Sequence, residues 1–339
     1  MDMPFLWLTP VAVLVVLLLF RFVGCSFNPQ RAPSAECEDM TESLYPDVVG
    51  ALTPVAYWRM QETSPSTPIP GGTMRSETGV HDGTLIQAGL LPDDPATLSP
   101  AANPILLELG VTPGLLQTDP TATAIRVQGS GVSVPFSAEI NPSTFTVVAL
   151  VEPEWLVSNP ATFGRYYCVL ESSDQPAAGS PDSKRKGFAL YAGPEDPTLP
   201  NTPYRWQLWI GDGTGFRQLK EQDPQPDGGQ MIPPLVENVP TFLCIQFDGF
   251  DYLLYYYTAG RDIDHSKYFL VVPPVNYVPN DSDDLTIGIS QARKSLIAPF
   301  PGPNRRLYPF AGKIEEVVLY DRAIGNFCVI HHGLGAFTS

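Results

Sequence analysis

FAGKIEEVVLYDRAI, residues 310–324, is the stretch from which the fold of this 339-residue chain is read. Gly312 offers a turn. Ile314, Val317, Val318, Leu319 and Tyr320 form a β-branched and aromatic run suited to a buried strand, and Asp321-Arg322 ends it. On a regular strand Glu315 and Glu316 face opposite sides, because successive side chains alternate. The rest of the chain has the same character: 37 Pro and 28 Gly punctuate it, 14 Tyr and 17 Phe favour strands, and no long stretch places apolar residues at helical spacing. The class is all-β.

Working outward, residues 54–60 (PVAYWRM) alternate as a strand, and residues 65–72 read as a loop before the turn His81-Asp82-Gly83. Residues 91–104 are Pro-rich, and residues 121–136 (TATAIRVQGSGVSVPF) read as a hairpin turning at Gly129-Ser130-Gly131. Residues 145–151 (FTVVALV) are apolar on both faces, as a central strand between layers requires. Strands are expected at residues 166–170, 187–191, 204–210, 215–219, 240–247, 251–257 and 285–289. No internal repeat is visible, so one domain spans residues 51–337.

Tyr57-Trp58-Arg59-Met60-Gln61-Glu62 resembles the first-strand signature of the laminin-G-like family, and His81-Asp82-Gly83-Thr84-Leu85 resembles its next element. The hairpin of residues 240–257 and the closing stretch 310–324 follow in the same order. The resemblance implies a two-sheet antiparallel β-sandwich, a concanavalin A-like jelly roll. It also implies a structural calcium ion held by Glu62 and Glu315, with Asp82 as a further ligand. Without an ion, Glu62 and Asp82 are turn and cap residues and Glu315 faces solvent.

Residues 3–20 (MPFLWLTPVAVLVVLLLF) carry no charge and come close to the roughly 20 residues that cross a bilayer. Two readings stay open, a transmembrane anchor and a signal segment. In the second, Phe22-Val23-Gly24-Cys25 resembles a lipoprotein box in which Cys25 is lipidated. Residues 26–50, with three prolines and several acids, read as a flexible linker. Arg21 and Arg31 follow the apolar segment, which taken alone leaves the body in the cytosol. The family resemblance instead implies a body at the cell surface or in the periplasm, and that reading is adopted. Cys25, Cys37, Cys168, Cys244 and Cys328 lack zinc spacing, and the last four are either paired or free buried thiols.

The formal net charge of −16 offers no basic footprint for nucleic acid. Glu152-Pro153-Glu154 is the closest local pair to a strand-borne glycosidase set, but it lacks the aspartate and third acid of the laminarinase-type pattern and sits where a strand ends. Asp281-Ser282-Asp283-Asp284 and His331-His332 lack the partners of a metal site, and no Ser-His-Asp grouping or phosphate loop is present. Trp206, Trp209, Tyr252, Tyr255, Tyr256 and Tyr257 divide between the two faces of their strands, and an exposed pair among them would suit a sugar. The chain therefore reads as a membrane-tethered, non-catalytic module for a carbohydrate or a surface protein. A carbohydrate-active enzyme and a structural part of an envelope or virion are the alternatives.

Overall fold

The computed structural model describes residues 45–62, 71–87, 106–154, 165–174, 186–196, 199, 202–219, 234–259, 267–269, 276–290, 306–325 and 337. A short helix, α1 (Tyr45–Ala51), precedes the strands β1 (Ala56–Trp58), β2 (Thr73–Met74), β3 (Gly83–Gln87), β4 (Leu106–Val111), β5 (Ala124–Gln128) and β6 (Ser130–Val134). After β7 (Phe145–Pro153) come β8 (Arg165–Ser173), β9 (Gly187–Pro194), β10 (Tyr204–Gly211), β11 (Phe216–Leu219) and β12 (Thr241–Phe247). The chain continues through β13 (Tyr252–Thr258), β14 (Lys267–Phe269), β15 (Leu285–Ile287), β16 (Arg306–Pro309) and β17 (Ala311–Tyr320).

The strands form two sheets. The first runs β14-β13-β12-β7-β17-β5-β4, with β1 also on β17; the second runs β11-β10-β9-β8-β15-β6-β3-β2, with β16 also on β8. All pairings are antiparallel except β16 with β8.

Period-two alternation builds the core. One inward row of the first sheet is Leu254, Ile245, Val147, Leu319 and Ala56, each directly opposite the next. A facing row of the second sheet is Leu85, Val132, Ile287, Leu170, Leu190 and Leu208. These residues belong to one buried apolar cluster, which is the interior of a two-layer sandwich.

The first sheet's other face is also covered. Its outward row Tyr255, Cys244, Val148, Val318 and Tyr57 packs with Tyr45, Val49 and Leu52 from α1 and its end, and with Leu115 and Leu116 from the loop at residues 112–122. Tyr45 and Val49, within residues 26–50, are thus buried against this face.

Two local expectations fail for physical reasons. The hairpin of residues 121–136 does not form: β5 pairs with β17 and β4, and β6 with β15 and β3, so the chain crosses between sheets at Gly129, whose φ is 73°. Nor is Gly312 a turn. It lies inside β17 opposite Val127 and Pro153 at φ 145°, where a Cβ would sit 2.1 Å from the Glu152 carbonyl oxygen.

The other strands appear near their expected places, and β7 is central, between β12 and β17. Cys168 and Cys244 are free, buried thiols on the outward faces of opposite sheets. The apolar segment 3–20, Cys25, Cys37, Cys328, His331 and His332 lie outside the described residues. Among the described residues, no helix is long and apolar enough to cross a membrane.

Candidate functional site

The candidate site is built where β17 changes partner. Residues 311–314 of β17 pair with β5, and residues 317–319 pair with β1 on the same edge. On the opposite edge the register with β7 slips between Glu315 and Val318, so Glu316 and Val317 together oppose Ala149. This is a β-bulge, and Glu316 occupies it with a left-handed φ of 53°. Ile314 and Val317 point into the sandwich, while both intervening glutamates reach partners on the outer face. The expectation that Glu315 and Glu316 face opposite sides is thus corrected: the extra residue breaks the alternation.

Both carboxylates are fully buried. Glu316 accepts from the Tyr57 hydroxyl and from Arg59 Nε, the latter at 3.0 Å. Glu315 accepts through Oε2 from the backbone amides of Leu115 and Leu116, the latter at 3.2 Å. Its Oε1 is buried with no hydrogen-bond partner among the described residues. Burial first, and then the neighbouring Glu316 charge, push the Glu315 carboxyl up to about 8. Burial also pushes Glu316 up to about 7, against the pull of Arg59. Arg59 Nη2 extends to Asp119 at 3.5 Å.

Next to this cluster lies a cleft of about 420 Å³, lined by Tyr57, Arg59, Glu77, Thr78, Thr53 and Pro54 among others. It adjoins β1, which pairs with β17 on one side only among the described residues. The loop that follows β2 closes the other side: Glu77 N donates to Tyr57 O at 2.8 Å, and Ser76 Oγ accepts from Tyr57 N at 3.3 Å. Thr78 Oγ1 lies 2.9 Å from Ser76 Oγ and donates to Val55 O at 3.3 Å. The Tyr-Trp-Arg run thus splits by alternation. Trp58 enters the core and donates from Nε1 to His81 O at 2.9 Å, while Tyr57 and Arg59 face the glutamates and the cleft.

Glu62, Asp82 and Glu315 each accept from different backbone amides. Glu62 Oε1 accepts from Arg75 N at 2.8 Å and Asp82 Oδ1 from Ser76 N at 2.9 Å, both fastening the loop after β2, whereas Glu315 fastens residues 115–116. Glu62 Oε2 and Glu315 Oε1 are both buried without hydrogen-bond partners among the described residues; Arg75 and Glu77 bear on the first, Glu316 and Arg59 on the second. Among the described residues no group of three His, Cys, Asp or Glu side chains could hold a metal ion.

No protein-family model matches the chain, and no curated protein matches it. Among solved structures, domain 4 of AbnA, a GH43 extracellular arabinanase from Geobacillus stearothermophilus in complex with arabinotriose, has a TM-score of 0.43 at 15% identity, covering 84% of this chain and 98% of that one. Trypanosoma rangeli sialidase has a TM-score of 0.41 at 13% identity over 84% of this chain, which spans only 33% of the sialidase. The CBM40 of Ruminococcus gnavus IT-sialidase, bound to α2,3 sialyllactose, has a TM-score of 0.34 at 13% identity, covering 61% of this chain and 94% of that one.

Other acids are occupied structurally. Glu152 pairs with Lys313 at 2.8 Å and Glu154 with Arg126 at 3.1 Å. Asp281 pairs with Lys186, and Asp284 accepts from Ser133 Oγ at 2.7 Å. The strand aromatics do not give an exposed pair. Trp206, Tyr252 and Tyr256 enter the core, and Tyr255 and Tyr257 pack on the first sheet's outer face. Trp209 meets Tyr166 edge-on and Tyr191 at a tilt outside the second sheet, yet is 2% exposed. Phe136 and Phe250 are the exposed aromatics among the described residues, at 37% and 84%. Sequence reasoning missed the Arg59 cluster, although Tyr57-Trp58-Arg59 was visible as a motif. Its opposite number, the bulge, has no signal in a pattern that reads as regular.

Proposed function

We propose that the chain is a membrane-tethered, non-catalytic module of laminin-G-like type that recognises carbohydrate in the cleft beside β1. The cleft carries the reading. Its lining joins a guanidinium, a carboxylate and threonine hydroxyls, the donors and acceptors that sugar hydroxyls need, on a rigid strand edge. The Glu316 bond fixes the Arg59 guanidinium, so less side-chain freedom is lost on binding.

A recognition role is preferred to hydrolysis because of where the carboxylates are engaged. Glu315 and Glu316 are fully buried against protein donors, and Glu152 and Glu154 sit in ion pairs. A glycosidase instead needs two carboxyls flanking one bond of the substrate. The uncharged segment 3–20 supports the tether, and the succession of Tyr57–Glu62, His81–Leu85 and the closing strand supports the family assignment.

The test is a glycan array probed with the full-length chain in detergent, followed by hydrolysis assays on each glycan bound. Binding without turnover is expected. Hydrolysis of a bound glycan would make the chain an enzyme, and an array with no binder would remove carbohydrate as the ligand class.

A further inference from the structure

The bulge in β17 sets two carboxylates side by side where one cation serves both. Glu316 takes the partners that β1 offers, Tyr57 and Arg59. Glu315 takes the backbone of the loop at residues 112–122 through one oxygen and leaves the other buried without a hydrogen-bond partner among the described residues. From α1, Tyr45 feels the Glu316 charge, and so does Glu316 that of Glu77 from the loop after β2. Asp119, in the same loop as Leu115 and Leu116, shares Arg59. Tyr320 on β17 adds only a neutral phenol, its ionisation pushed far up by burial. Arg59 is the single cation among these groups.

Two buried carboxylates with one guanidinium, and an oxygen that no donor reaches, are stable with a proton between them and unstable without it. Loss of that proton leaves a buried charge that the Leu115 and Leu116 amides and Arg59 offset only in part, and opening the loop that Glu315 holds admits water to it.

We propose that Glu315 is a proton-controlled clasp that holds the loop at residues 112–122 against the first sheet when protonated and releases it when ionised. The clasp does not depend on the carbohydrate reading, and it is tested without any ligand. Release would uncover Leu115 and Leu116, which pack on Tyr57 and α1 side chains beside the cleft.

Amide hydrogen exchange of Leu115 and Leu116 in the full-length chain, corrected for intrinsic exchange, reads the clasp directly. Their protection is expected to fall by about tenfold per pH unit between roughly pH 5.5 and 7.5, because the open state frees a carboxyl of ordinary acidity. In Glu315→Gln, whose amide is a permanently neutral copy of the protonated acid, protection is expected to stay high and flat. In Glu316→Gln, which removes the repelling neighbour, the fall is expected to level off at a lower pH than in the native chain. A native chain equally protected across that range overturns the clasp. So does a Glu315→Gln curve that matches the native one, or, should that variant not fold, an unmoved Glu316→Gln curve.

Discussion

Glu315 and Glu316 hold protons in the folded chain, near 8 and 7, that the unfolded chain gives up at the ordinary carboxylate value of 4.5. The folded state therefore binds more protons than the unfolded state over this window. The stability these groups contribute is complete below about pH 4.5 and is lost as pH rises toward 8. The melting temperature is expected to fall from pH 5 to pH 8. Glu315→Gln should match the native chain at pH 5 and exceed it at pH 8 by at least about 1 kcal/mol in denaturant titrations. Equal stabilities at both values would contradict the burial assigned to this carboxyl. Arg59→Met asks the converse question, since it leaves Glu316 buried without its cation; a loss of about 3–5 kcal/mol is expected at pH 8, and a smaller loss at pH 5 where Glu316 is neutral.

At the level of elements, β17 organises the first sheet. It pairs with β7 along one edge and with β5 and then β1 along the other, and the glutamate bulge lies at the handover. Its apolar residues were legible in sequence because alternation exposes them: Ile314, Val317 and Leu319 inward, Val318 and Tyr320 outward. The bulge was not legible. Glu315-Glu316 reads as two neighbours on opposite faces of a regular strand until Tyr57, Arg59 and the Leu115 and Leu116 amides arrive from distant parts of the chain. The false hairpin at residues 121–136 has a related cause, since a one-glycine corner between sheets and a tight turn within one share the same residues. Trp58 joins this element to the rest, packing opposite Val317 and donating to His81 O. Trp58→Ala is expected to cost about 3–5 kcal/mol in equilibrium unfolding. Gly312→Ala, with a Cβ 2.1 Å from Glu152 O, should cost at least about 3 kcal/mol and raise the unfolding rate; a near-neutral result would contradict the strand geometry at that position.

For the whole molecule, class and architecture follow from composition and period, because two-sided burial of so many alternating strands has few solutions besides a sandwich. The cleft beside β1 follows from neither, since it depends on which loops close over the edge of that strand. Glu77 and Thr78 would pass as unremarkable loop residues but for the Glu77 bond to the Tyr57 carbonyl, which places both in the cleft. Glu77 is solvent-exposed, so replacing it tests recognition with little effect on folding. The decisive measurement is calorimetric titration of a glycan that binds the native chain into Glu77→Ala, with melting temperatures recorded alongside. The cleft reading predicts at least about tenfold weaker binding, equivalent to about 1.4 kcal/mol, at an unchanged melting temperature; native affinity in the variant would contradict it.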